Sequence, residues 1–381
     1  MKKIYFDYAS TTPVDPDVIK AMEPYFFEKF GNPSSPHSVG RESQKALENA
    51  RQTTAEFLGA KVEEIVFTSG GSESNNHSIL GIARGLKERG NHLILSNIEH
   101  HSVLEPALSL QKEGFKVTCV PVDQKGIVNP EDIKKAVTDK TILIALIHAS
   151  NEIGTMQDVA AVGKIAREAG IYFHVDAVQT VGHLPVDVNE IGCHILSLAA
   201  HKFYGPKGAG ALYIRQGTRI ANYLLGGDQE RGRRASTQNV AGAVGLAKAI
   251  ELCSQQMEEE IKTQTSLRNK LITEIPRRID HCFLSGHPTQ RLPNNAHFSF
   301  ASLSGESLLM SLDMVGIASS MGSACTAGSL EPSHVLKAIG LSDELALAAL
   351  RISIGRWTTV EEIDSFLDQL PLIVERLRAV S

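Results

Sequence analysis

The sequence predicts an α/β fold: a large domain on a mostly parallel sheet sandwiched by helices, with a smaller α+β domain beside it. Three observations predict it. Short apolar runs rich in β-branched residues recur, amphipathic stretches separate them, and 381 residues exceed the usual size of a single core. The runs are Ile65-Val66-Phe67, His92 to Leu95, Ile142 to Ile147, Tyr172 to Val175, Ile195 to Leu198 and Ala211 to Ile214. Such strands alternating with helical pattern imply a mostly parallel sheet covered on both faces.

The helices follow from periodicity and punctuation. Ser43 to Phe57 puts Ala46, Leu47, Ala50 and Phe57 on one stripe, and Glu131 to Val137 opens after the turn signal Asn129-Pro130. From about Gln255 the texture becomes a long charged helix running through Lys270. Pro276 and the loop Gly286-His287-Pro288 then lead into Ala296 to Phe300. That change predicts a second, smaller domain joined by a helix; the division expected is 15–257 for the large domain and 1–14 with 258–381 for the small one. Val360 to Val380 reads as a closing amphipathic helix, with Pro371 expected to kink or break it.

A formal net charge of -5, with both signs interspersed, gives no polybasic footprint for nucleic acid or an anionic membrane. The partners expected are small molecules and proteins. No run approaches the ~20 apolar residues of a membrane span, and Met1-Lys2-Lys3 is followed by Asp7 rather than by a signal-peptide core. The five cysteines are scattered, with no Cys-x-x-Cys pair. No disulfide framework or metal site is expected, and the setting read from this is reducing and cytoplasmic.

Candidate chemistry begins at Lys202, in Ser197 to Gly210, just past a buried strand and before a glycine-rich turn. A lysine so placed can be desolvated and form a Schiff base; taken alone it is equally a surface lysine at a turn. A Schiff-base cofactor such as pyridoxal phosphate needs a carboxylate on its ring nitrogen. Asp176, at the end of the strand Tyr172 to Val175, is the candidate, although an aspartate there is as readily a helix cap. Gln179 follows three residues later, within reach of the ring oxygen. The phosphate calls for N–H groups at a helix start. Thr68-Ser69-Gly70-Gly71-Ser72-Glu73-Ser74-Asn75-Asn76 supplies one, with Gly71 permitting close approach and Ser72 adding a hydroxyl.

With these segments on the page, the chain resembles the NifS/IscS cysteine desulfurases, class V members of the fold-type I pyridoxal-phosphate enzymes. The likeness runs nearly end to end. It includes Asp7 to Pro13, Phe30 to Ser35, Glu99-His100, Asn151 to Thr155, His174 to Gln179, His201 to Gly208, Gln229 to Arg234 and Arg351 to Arg356. The resemblance implies a homodimer and pyridoxal 5'-phosphate bound to Lys202, with His100 stacked on the ring. Asp176 would meet the ring nitrogen, with Gln179 and Asn151 at its oxygen side. Gly71, Ser72 and His201 would hold the phosphate, joined by Thr237 from a second subunit. Arg351 would clamp the substrate carboxylate, assisted by Asn32 and Asn151.

Cys325 decides the reaction. It lies among Gly322, Ser323, Ala324, Thr326, Ala327, Gly328 and Ser329, a composition that predicts an exposed, mobile loop. Burial is expected instead for Cys119, Cys193, Cys253 and Cys282. The reaction implied takes L-cysteine to L-alanine, leaves sulfur on Cys325 as a persulfide, and passes it to an acceptor or scaffold protein of iron-sulfur assembly. Two other readings stay open: another class V enzyme, an aminotransferase or a cysteine or selenocysteine lyase, in which Cys325 is incidental, or a non-catalytic paralogue kept as a scaffold. Departures from the family pattern cluster near the phosphate: Ala199 in place of serine, Ser72 in place of threonine, Ala235-Ser236 before Thr237, and Asp228 for glycine. Ser150 likewise stands for asparagine.

Overall fold

The computed structural model describes residues 3–322 and 331–379, so Cys325 lies outside the described residues. The strands, in chain order, are β1 (Ile4–Tyr5), β2 (Ile65–Thr68), β3 (His92–Ser96), β4 (Lys116–Val120), β5 (Thr141–Ile147) and β6 (Tyr172–Asp176). They continue as β7 (Ile195–Ala199), β8 (Gly210–Ile214), β9 (Cys282–Leu284), β10 (Asn295–Phe300), β11 (Ile317–Ala318) and β12 (Ala349–Ser353).

Seven of them form one sheet in the order β2-β8-β7-β6-β5-β3-β4. Pairing is parallel from β4 through β7, and β8 runs antiparallel to both neighbours. Alternation along β5 shows how both faces are covered. Ile144 and Leu146 pack into a core shared with Leu47 and Leu58 of the helix Ser38–Leu58. Leu143 and Ala145 point the other way, toward Ile79 and Ile82 of the helix Gly71–Gly85. From β3 the chain steps outward to β4, then returns to β5 and proceeds through β6 and β7. The order therefore reverses between β3 and β5, the place where open α/β sheets form a ligand crevice at their carboxyl ends.

β4 was not expected, and Cys119 lies on it. The strand is the sheet's edge, only Val120 on it is buried, and Cys119 is exposed rather than buried. Cys193 and Cys253 are buried, and Cys282 is half-buried.

A second core gathers around the antiparallel sheet β12-β10-β9, where Phe298, Phe300, Leu350 and Ile352 meet Phe6, Leu271, Phe366 and Leu370. One helix, Val240–Arg278, serves both cores. It begins well before Gln255, because its first turns are small and apolar and carry none of the charge that marked the later part. Ala243 to Cys253 belong to the first core and Leu267 to Ile275 to the second.

Pro371 does not break the last helix, which runs unbroken over Val360–Arg378. Proline removes the N–H that would have bonded the Leu367 carbonyl. Arg278 Nη1 supplies the missing donor to that oxygen at 3.0 Å. Pro106 in the helix His101–Ser109 has the same relation to the Ser102 carbonyl, which accepts from Asn76 Nδ2 at 3.5 Å. Among the described residues no helix is long and apolar enough to cross a membrane.

Candidate active site

A cavity of about 260 Å³ opens at the carboxyl ends of the central strands. Lys202 follows β7, His100 follows β3, Asn151 follows β5, and Gly71 and Ser72 follow β2; all line it, together with Gln179, His201 and Arg351. Strand ends are where the backbone turns out of the sheet, so side chains far apart in sequence converge there.

The Lys202 ammonium donates to the carbonyl oxygens of Ala9 and Ser10, both at 2.7 Å. Gln179 Nε2 donates to the same Ala9 oxygen at 3.0 Å. The segment that precedes Pro13 thus forms one wall of the cavity.

Asp176 lies just behind the wall, 4% exposed, rather than on it. Its Oδ1 accepts from the Val178 N–H at 3.0 Å and its Oδ2 from Asn75 Nδ2 at 2.8 Å. A carboxylate offers about four acceptor sites, so capacity remains for a further donor. Asn75 Nδ2 also donates to Ser102 Oγ at 2.8 Å. The Ser102 backbone N–H donates to His100 Nδ1 at 3.0 Å, and the Ser102 hydroxyl lies 2.7 Å from the same nitrogen. His100 Nδ1 is therefore an acceptor, and a neutral ring carries its proton on Nε2. Burial lowers the His100 pKa, with the Lys202 charge acting in the same direction and Asp176 opposing.

Below β3 and β5, Glu99 is fully enclosed, and its Oε1 accepts from Ser96 Oγ and from the Ile147 N–H at 2.9 Å. Burial pushes its carboxyl up to about 8, and the charge of Asp176 adds to the shift. Neither Asn75, Ser102 nor Glu99 was assigned a role from sequence. Asn75 and Glu99 stand inside segments already singled out, whereas Ser102 carries no local signal at all.

The start of the helix Gly71–Gly85 can hold a phosphate. Gly70 contributes no side-chain cap, and its φ of 150° is one that favours glycine. A Cβ on Gly71 would come within 2.7 Å of Val178 Cγ2, so a larger residue here would require that side chain to shift. Ser72, His201 and Lys207 line an adjoining cavity of about 400 Å³. Burial, followed by the charges of Lys202 and Lys207, lowers the His201 pKa to about 4, so near neutral pH its ring is uncharged. Ala199 closes the inner wall without a hydroxyl.

Arg351, on β12, is 1% exposed and donates to Asp7 Oδ1 at 2.8 Å and Ser10 Oγ at 2.6 Å. Two expected residues stand apart. Asn32 is exposed, its Oδ1 accepting from the Ser34 N–H at 2.9 Å, and it does not line the cavity. Thr237 lines a different cavity, with Phe67, Glu230 and Arg234.

The aminotransferase class-V family matches residues 4–366. A protein named cysteine desulfurase IscS from Dictyoglomus turgidum is 53% identical over 380 residues, covering 100% of this chain and 96% of that one. A second protein so named, from Methanosarcina thermophila, is 50% identical and covers 100% and 94%. Among solved structures, a NifS-like protein superposes with a TM-score of 0.93 at 37% identity, covering 99% of this chain and 100% of its own. One described as SspA in complex with cysteine gives 0.81 at 36%, covering 94% and 100%. The chain belongs to the aminotransferase class-V family, among relatives named cysteine desulfurase.

Proposed function

We infer that this chain is a pyridoxal-phosphate-dependent cysteine desulfurase, which converts L-cysteine to L-alanine and transfers the sulfur to Cys325 for use by an acceptor or scaffold protein of iron-sulfur assembly. One relationship carries the reading of the site. Ser10 accepts from Lys202 through its carbonyl at 2.7 Å and from Arg351 through its hydroxyl at 2.6 Å. An amine able to form an imine and a guanidinium able to clamp a carboxylate thus flank a single residue, a spacing suited to an α-amino acid. The relatives' names and Cys325 supply the choice of cysteine.

The donor set fits the cofactor: an uncapped helix start with Ser72 and neutral His201 for its phosphate, Asp176 for its ring nitrogen, and Lys202 for its aldehyde. Bound there, pyridoxal phosphate supplies an electron sink for charge that develops at the substrate α-carbon. The chain's own residues do the rest. Asp176, aimed by Asn75 and the Val178 N–H, keeps a proton on the ring nitrogen. Lys202 Nζ would be the base that takes the substrate α-proton. His100, on the cavity wall and carrying its proton on Nε2, would give or take a proton there. Arg351 holds the carboxylate. The Cys325 thiolate attacks the substrate sulfur, an S–S bond forms, the C–S bond breaks, and its electron pair stays on carbon, which is protonated to give alanine.

In this reading the clusters on the two faces of the seven-stranded sheet belong to a large domain over 15–257, and the cluster around β12-β10-β9 to a small one from 1–14 and 258–381. Thr237 belongs to the phosphate site of a second copy, which makes the working unit a homodimer, and the setting is the reducing cytoplasm. The test is direct. Lys202→Ala should lose the visible absorbance that wild type gains with pyridoxal phosphate, and Cys325→Ala should stop conversion of cysteine to alanine in the presence of dithiothreitol. Full turnover by Cys325→Ala would instead favour a lyase in which that cysteine is incidental.

A further inference from the structure

We propose that Asp7 is a resident counter-ion that competes with the substrate carboxylate for Arg351 and so sets how tightly the site holds an α-amino acid. The inference rests on the reading of Arg351 as the carboxylate clamp.

A guanidinium has five N–H groups, and four of those on Arg351 are engaged. Nη1 donates to the backbone carbonyls of Asn151 at 2.9 Å and Gly322 at 2.7 Å. Nη2 donates to Asp7 Oδ1 at 2.8 Å and Ser10 Oγ at 2.6 Å. Nε, buried, has no hydrogen-bond partner among the described residues. An unpaired buried donor is costly unless a ligand satisfies it.

A carboxylate meets a guanidinium best with two parallel bonds. The Nη1 side is closed by main-chain oxygens, which cannot leave without moving the chain. The edge formed by Nε and Nη2 has one open donor and one donor held only by side chains. An incoming carboxylate can therefore take the Nε–H and exchange with Asp7 at Nη2. Ser10 makes the exchange easy, because its hydroxyl also donates to Asp7 Oδ1 at 2.8 Å and keeps that carboxylate in place after Arg351 lets go. The Asp7 side chain is 21% exposed, so water can solvate the oxygen that is released. In the empty site Asp7 neutralises a cation that would otherwise be buried alone; in the occupied site it is a rival, and its departure from Nη2 is part of the cost of binding.

Asp7→Asn tests this. The amide keeps an oxygen toward Nη2 and Ser10 but removes the competing charge. Loss of a charged rival hydrogen bond should lower KM for L-cysteine about tenfold with little change in kcat. The dissociation constant of L-alanine, read from the absorbance of the holoenzyme, should fall in parallel. If Asp7 merely braces Arg351, KM and the alanine constant rise in Asp7→Asn; that result, or no change, overturns the proposal. Arg351→Gln separates the two levels. If it leaves KM unaltered the clamp reading itself fails, whereas a raised KM there without the fall in Asp7→Asn defeats only the competition.

Discussion

Asn75 donates from Nδ2 to Asp176 Oδ2 at 2.8 Å, so the helix Gly71–Gly85, whose start lines the cavity, also aims the carboxylate behind it. Through Ser102 the same amide is linked to the acceptor nitrogen of His100. Asn75→Ala removes a bond to an ionised group, worth about 1.5–3 kcal/mol. Apoenzyme of that variant, titrated with pyridoxal phosphate and followed by visible absorbance, should bind at least about tenfold more weakly. Unchanged affinity would mean that Asp176 is aimed without Asn75.

Ala199 ends β7 on the cavity wall, where a hydroxyl could reach the cofactor phosphate. One added neutral hydrogen bond is worth about 0.5–1.5 kcal/mol. Ala199→Ser should accordingly tighten pyridoxal phosphate by up to about tenfold in the same titration. Equal or weaker binding would place the phosphate out of its reach.

Glu99 gives a pH signature. Its carboxyl is held at about 8 in the folded protein, against an ordinary value of 4.5, chiefly by burial. Between those values the folded state keeps a proton that the unfolded chain has lost, so this group lowers stability as pH rises, by at most about 1.4 kcal/mol per pH unit. Below the window both states are protonated, and above it both are ionised and the penalty is constant. Glu99→Gln keeps the acceptor for Ser96 and Ile147 but does not titrate. In chemical denaturation the variant should gain on wild type as pH is raised from about 5 to about 8. A difference that stays constant across that range would contradict the shift.

Pro371 and Arg278 should be coupled. Arg278→Ala leaves the Leu367 carbonyl without its donor and should cost about 1 kcal/mol. In a Pro371→Ala background the helix N–H returns, and the same substitution should cost less. A double-mutant cycle by urea denaturation should show a coupling of about 0.5 kcal/mol or more. Additive effects would mean that the arginine is incidental.

Most of the large sheet was legible because burial on both faces left β2, β3, β5, β6, β7 and β8 dominated by apolar residues. β4 was hidden because an edge strand needs no such run: Lys116, Thr118 and Cys119 interrupt it. The Pro371 rule was locally right, and what overrode it came from Arg278 on another helix. Lys202 and Asp176 were candidates by residue type and setting, and Arg351 only through the family likeness. Asn75 could not be assigned, because its partner is 101 residues away and the pairing exists only after folding. Arg351 was read as a carboxylate clamp, but that Asp7 already holds it follows only from the meeting of β12 with the N-terminal segment.

The sulfur transfer itself is read most directly from the mass of the peptide that carries Cys325, isolated after a single turnover with L-cysteine and before any reductant. One additional sulfur atom on Cys325, appearing with one equivalent of L-alanine, is the expected result. Alanine formed while that peptide keeps its original mass would contradict a persulfide at Cys325.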